Sequence, residues 1–145
     1  MAKVSVYLNF NRTTEAAFLF YREIFQTEFI GDMTRMGDVP PQEGVPEIAE
    51  EDKNLVMHVA LPIFGDFELM GTDATESMGF TLVQGNNAYI NLEPDTRAET
   101  ERIFNALSEG GEVEMPLQEM FWGDYFGSFK DKFGVCWMIN CSSKE

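Results

Sequence analysis

Tyr7-Leu8-Asn9-Phe10 returns as Tyr89-Ile90-Asn91-Leu92, 82 residues further along the chain, and the shift persists beyond it. Thr14-Glu15-Ala16 falls on Thr96-Arg97-Ala98, Tyr21 on Ile103 and Phe25 on Leu107. A strand-like tetrapeptide followed twice by a helical pattern in the same register predicts a chain built from two copies of one unit. In the first helix Ala17, Phe20, Tyr21, Ile24 and Phe25 recur at i, i+3, i+4, i+7 and i+8, which defines one apolar face. In the second, Thr96 and Glu99 form a capping-box pattern. Thr100, Ile103, Phe104 and Leu107 make its stripe, and Gly110-Gly111 ends it.

Each helix is followed by strand-like stretches, at residues 28–35, 55–62 and 67–72 in the first half and 112–120, 125–129 and 135–141 in the second. The order β-α-β-β-β therefore occurs twice, an α+β class, in a single domain. Module one spans residues 1–72, a connector 73–85, and module two 86–145. Residues 37–54, with Pro40, Pro41 and Pro46 and a run of acids, read as a loop with a short helix near Glu47. This loop is either a tolerated surface insertion or a flap. Phe64-Gly65-Asp66-Phe67 reads as a two-residue hairpin that sets Phe64 opposite Phe67 and His58 opposite Asp73.

Near the C-terminus, Phe121-Trp122-Gly123 leads through Gly127 to Asp131-Lys132-Phe133-Gly134-Val135-Cys136-Trp137-Met138. Asp131 to Gly134 is a tight turn in which Gly134 takes a positive φ, followed by an alternating strand. With the opening Tyr7-Leu8-Asn9-Phe10-Asn11, Glu15-Ala16-Ala17 and Phe20-Tyr21, these residues resemble the PhnB-like branch of the glyoxalase/bleomycin-resistance, or vicinal-oxygen-chelate, superfamily over nearly the whole chain. The resemblance implies two β-α-β-β-β modules paired so that their curved sheets enclose a cup. It also implies a homodimer, since eight short strands leave exposed edges.

The composition, 44% hydrophobic over 145 residues, suffices for one sizeable core without disulfide or metal support. Cys136 and Cys141 point to opposite faces of one strand and cannot bridge there, which fits a reduced, cytoplasmic setting. No segment is apolar enough for a signal sequence or a bilayer span. The formal charge of −15 disfavours nucleic acid and small anions, either as solvated surface or as a preference for neutral or cationic ligands.

Metal-dependent members of the superfamily hold a divalent ion with one His or Glu from each of four cup-facing strands. Strand parity sends Val4, Val6, Leu8 and Phe10 toward the helix and leaves Ser5, Tyr7 and Asn9 on the other side, with Asn87, Tyr89 and Asn91 their counterparts. The implied ligand positions fall on Ser5 or Tyr7, on Asn87 or Tyr89, on Glu68, and on Trp137 or Met138. One carboxylate does not make a zinc, nickel, iron or manganese site, so no metal and no cofactor is expected. His58 lies about 17 Å along the ribbon from Glu68 in the expected register, too far to share an ion. It is either a hydrogen-bonded structural histidine or, with Glu68, a candidate catalytic acid or base. Cys136, among apolar neighbours, reads as a structural thiol.

Tyr7, Asn9, Tyr89, Asn91 and Trp122 are the candidate ligand-binding residues. The two polar-tipped pairs either hydrogen-bond one another or orient a bound molecule, and Trp122 is either a rim residue or a plug. Interleaved methionines and aromatics suit flat apolar ligands. Two functions remain open. One is metal-independent binding of a small, partly aromatic, neutral or cationic molecule, as the resemblance to the bleomycin-resistance branch implies. The other is a glyoxalase-type lyase, isomerase or dioxygenase with an atypical metal arrangement. Relatives carry a ubiquinone-methyltransferase-like label, but no glycine-rich S-adenosylmethionine loop is present.

Overall fold

The computed structural model describes residues 1–145 and divides into two compact units, residues 1–82 and 83–145. Unit one comprises β1 (Val6–Phe10), α1 (Thr14–Phe25), β2 (Thr34–Arg35), β3 (Val56–Ile63) and β4 (Phe67–Asp73). Unit two comprises β5 (Ile90–Leu92), α2 (Arg97–Ser108), β6 (Glu112–Glu119), β7 (Tyr125–Lys130) and β8 (Cys136–Cys141). Each forms a four-stranded mixed sheet with one helix, ordered β1-β4-β3-β2 and β5-β8-β7-β6. The first strand of each unit runs parallel to the last, β1 with β4 and β5 with β8, and the remaining pairings are antiparallel. Right-handed β-α-β crossover explains this order: the helix carries the chain over the sheet, and the meander then fills in from the far edge.

Each core lies between helix and sheet. In unit two the buried helical residues are Thr100, Ile103, Phe104 and Leu107, matching the apolar stripe, and they face Phe129, Trp137 and Ile139. In unit one the buried set is Thr14, Ala17, Phe18, Tyr21 and Ile24, so Phe18 replaces the expected Phe20. Gly71 is the reason: a Cβ there would stand 2.5 Å from the Phe18 ring, so its missing side chain makes the slot that draws Phe18 in. The Phe18 ring meets Phe10 and Tyr21 edge-on, while Phe20 lies beside Tyr21 at the flank.

Half of the expected capping box forms. Thr96 Oγ1 accepts the Glu99 N–H, but the Glu99 carboxylate turns instead to the Arg102 guanidinium. A charge-assisted bidentate pair outcompetes one bond to a neutral amide.

Three other expectations are corrected. The strand expected at 28–35 is reduced to Thr34–Arg35, because the chain passes a left-handed Gly31 and joins β3 only briefly across a bulge. The helical turn expected near Glu47 lies later, at Glu50–Asp52, where Asp52 is buried and accepts hydrogen bonds from Arg12 and Ser77. The hairpin after β3 has a three-residue loop: Ile63, not Phe64, pairs with Phe67, and Phe64 and Gly65 both take positive φ. The Phe64 ring packs edge-on against Phe25, which offsets the backbone strain at a non-glycine residue. That longer loop shifts the ribbon by one residue.

Candidate functional site

Strand parity gives each sheet one face against its helix and one face without it. In unit one the second face carries Tyr7 and Asn9 from β1, Glu68, Met70 and Thr72 from β4, and His58, Ala60 and Pro62 from β3, since Tyr7 pairs with Met70, Asn9 with Thr72, and Met70 with Ala60. Tyr7 and Asn9 are exposed in the unit, whereas Phe10 is buried against the helix. The Tyr7 hydroxyl lies 2.9 Å from His58 Nδ1, and the two rings are tilted at a centroid distance of 5.7 Å. Two strand spacings separate β1 from β3, about 9.6 Å, which a phenol and an imidazole leaning toward each other span. Burial pushes the Tyr7 phenol above its ordinary value.

The corrected register moves His58 level with Thr72, not Asp73. The Asp73 carboxylate is buried and serves the backbone instead: it accepts Thr14 N–H and Oγ1–H with one oxygen and Val56 N–H with the other. His58 pairs laterally with Thr34 on β2. Glu68 faces Pro62, about 13 Å along β3 from His58 at four residues' rise. Its carboxylate is 2.9 Å from Lys3 Nζ, and both residues line an open cleft of about 610 Å³ with Phe67 and Ile30.

In unit two the corresponding face carries Tyr89 and Asn91, Met138 and Asn140 from β8, Ser128 and Phe126 from β7, and Met115 and Glu114 from β6. The register pairs Asn91 with Met138, Met138 with Ser128, Ser128 with Met115, and Asn140 with Phe126, and a hydrogen bond ties Tyr89 to Glu114. The Tyr89 hydroxyl donates to both oxygens of Glu114, at 2.8 and 3.0 Å. Three strand spacings separate β5 from β6, about 14 Å if flat, so this bond requires the sheet to curl with the helix on its convex side.

The Glu114 carboxylate holds the Tyr89 proton, and with burial it pushes the phenol up to about 12. A raised folded value means the interaction contributes fully below the unfolded value near 10 and is lost as pH climbs toward about 12. Alkaline ultraviolet titration of Glu114→Gln should therefore return one phenol to about 10. An unchanged titration curve would mean the bond is not made in solution.

Trp122 stands in the turn between β6 and β7, 51% exposed, edge-on to Phe121 at 5.0 Å and inclined to Phe126 at 6.4 Å. The turn closes through Met120 N–H to Asp124 O and Gly123 N–H to Met120 O, with Gly123 at φ +98°.

The superfamily metal is tested by these donors. Register places Met138 on the open face, whereas Trp137 is fully buried against α2 and gives its indole N–H to Asp131. At the other implied positions the Tyr7 hydroxyl meets His58, Tyr89 meets Glu114, and Glu68 pairs with Lys3. No group of three or more His, Cys, Asp or Glu side chains converges to hold an ion. The residues do not fit a superfamily-type metal. The Cys136 and Cys141 thiols are free and buried, and burial pushes Cys136 upward, away from the thiolate.

Glu114, Lys3 and Asp124 were not singled out in the sequence. Glu114 lies on a twice-bulged strand where alternation fails, and Lys3 precedes its strand, so neither carries a periodic signal.

A family model described as 3-demethylubiquinone-9 3-methyltransferase matches residues 2–140. Protein YjdN of Escherichia coli (strain K12) is 31% identical over 152 residues, covering 98% of this chain and 97% of the relative. The crystal structure of protein PA1353 from Pseudomonas aeruginosa is similar with a TM-score of 0.80 and 38% identity, covering 96% of this chain and 98% of that one. The PhnB protein from Bacillus cereus follows at 0.73 and 26%, covering 97% and 99%. A glyoxalase/bleomycin resistance protein/dioxygenase family enzyme from Burkholderia phytofirmans PsJN, at 0.62 and 19% identity over 94% of this chain and 97% of that one, shares the fold.

Proposed function

We propose, from the premise that this chain belongs to the PhnB-like (3-demethylubiquinone-9 3-methyltransferase) family and has the glyoxalase/bleomycin-resistance fold, that it binds a small, partly aromatic, neutral or cationic molecule without a metal. The observation that carries this reading is the pair of tyrosines at equivalent positions, Tyr7 and Tyr89. Each lies on the helix-free face of its unit with its hydroxyl fixed by a polar partner, His58 or Glu114. A fixed phenol opposite Met70 in unit one, and one on the same face as Met138, the neighbour of Asn91, in unit two, offer both an orienting dipole and an adaptable apolar contact. The formal charge of −15 supports neutral or cationic ligands over anions.

Methyl transfer is not part of this reading. The strand-to-helix loops that would cradle a nucleotide-type cofactor are Asn11-Arg12-Thr13 and Glu93-Pro94-Asp95-Thr96, with no glycine in either. The hydrogen bond between Tyr7 and His58 favours one alternative, proton transfer to or from a bound substrate in unit one, with His58 as the base.

No helix is long and apolar enough to cross a membrane. A homodimer is part of the proposal, because β6 is an eight-residue edge strand with hardly a residue buried. Sedimentation should give about twice the 16.5 kDa chain mass, and a monomer at micromolar concentration would refute it.

A thermal-shift screen of neutral and cationic aromatics in EDTA tests the binding reading. Hits should lose about tenfold in affinity in Tyr7→Phe or Tyr89→Phe, since each removes an orienting hydroxyl. Binding that needs added metal, or that ignores both variants, would contradict it.

A further inference from the structure

The turn between β6 and β7 combines features that the tyrosine pairs do not explain. Phe121 and Trp122 are 97% and 51% exposed, and the Trp122 indole is walled on two sides, by Phe121 at an interplanar angle of 87° and by Phe126 at 62°. Rings set at steep angles do not stack face on face, so the exposed Trp122 indole is not covered by a parallel ring. A carboxylate stands at the same place. Asp124, between Trp122 and Phe126 in sequence, is half-buried, and its Oδ2 accepts the Asn140 amide from β8 at 2.9 Å, which leaves Oδ1 available. Asn140 pairs with Phe126 across β7 and β8, so Asp124 and the Phe126 ring share the helix-free face.

The opposite face of the turn already has its cations. Arg97 lies over the Tyr125 ring at 4.9 Å and, with Lys144, pairs with Glu119 and reaches Gly123 O. Arg97 and Lys144 share the one Glu119 carboxylate, and Glu119 pairs with Tyr125 on the helix side of β7. The helix-free side offers aromatic rings and one carboxylate oriented by the Asn140 amide.

We infer that this turn is a subsite for a weakly hydrated organic cation, a quaternary ammonium group, seated on the Trp122 indole with Phe126 as second wall and Asp124 as counter-charge. The inference rests on the binding function proposed above and names its ligand chemistry. A quaternary ammonium suits the site because it gains from ring faces without needing hydrogen bonds, whereas a primary ammonium must give up strong hydration to enter.

The chain has two tryptophans, so uniformly 15N-labelled protein gives two indole N–H signals. Trp137 is fully buried with its N–H given to Asp131, which makes it an internal control. Choline and its uncharged carbon isostere, 3,3-dimethylbutan-1-ol, have the same shape and differ in charge. Choline should move the Trp122 signal saturably and leave Trp137 in place, with the isostere at least about tenfold weaker. Asp124→Asn keeps an acceptor for Asn140 and should weaken choline by about tenfold, and Phe126→Leu should do the same through the lost ring. Equal affinity for the isostere would overturn the inference. So would a Trp122 signal that choline leaves unmoved while aromatics still bind through Tyr7 and Tyr89, an outcome that spares the function proposed above. A protein inert to every probe would overturn both.

Discussion

Trp137→Ala should lower the unfolding free energy by about 3–5 kcal/mol, the range for deleting a large aromatic from a packed core. Trp137 is fully buried and heads the set of large enclosed side chains. It sits opposite Ile90 on β5 and Phe129 on β7, in the centre of its sheet and under α2. Its indole N–H also bonds Asp131 Oδ2 at 2.9 Å, while Asp131 Oδ1 accepts Phe133 and Val135 N–H and so shapes the turn before β8. The substitution leaves a cavity and takes one bond from a buried carboxylate at once. Urea unfolding followed by circular dichroism measures the loss. Trp137→Phe separates the two contributions, since it keeps most of the volume and should cost about 1–3 kcal/mol. A Trp137→Ala loss below about 1 kcal/mol would mean that unit two is packed differently from this account.

Asp73→Asn should be costly, at about 3 kcal/mol, for a different reason. The carboxylate is 3% exposed and accepts three hydrogen bonds, from Thr14 N–H at 3.2 Å, Thr14 Oγ1–H at 2.8 Å and Val56 N–H at 2.8 Å. Those donors approach both oxygens, so either orientation of an amide sets its NH2 against a backbone N–H. The repulsion falls on the first turn of α1 and the start of β3, and hydrogen exchange should show lost protection there while unit two is unaffected. Uniform protection in both units would show that Asp73 is not the clasp between helix and sheet.

The internal repeat made the two-unit β-α-β-β-β order legible, and the second helix could be read residue by residue because its stripe has no competing apolar position. The first helix could not. Phe18 and Phe20 are equally apolar, and only the space above Gly71, a tertiary feature, decides between them. The length of the turn after β3 is not legible in the sequence, because Phe64 has no local signal for a positive φ; its ring contact with Phe25 comes from elsewhere in the unit. That one-residue shift took His58 away from Asp73 and brought it to Tyr7. The tyrosines themselves were visible as inward polar positions on apolar strands, but their partners were not. Glu114 is reached only because the sheet curls, and strand periodicity carries no information about curvature.

The central claim is that the helix-free faces hold their ligand through fixed side chains, with no ion. Glu68 is the one carboxylate at an implied ligand position, and it is paired with Lys3. Melting temperature should therefore be measured in EDTA and then with zinc, nickel, manganese or ferrous ion in excess, for the native chain and for Glu68→Gln. A site that is 99% filled contributes about 2.7 kcal/mol, a rise of several degrees for a protein this size. The account predicts shifts of less than about one degree, the same in both proteins. A saturable rise of several degrees with one metal, abolished by Glu68→Gln, would contradict it.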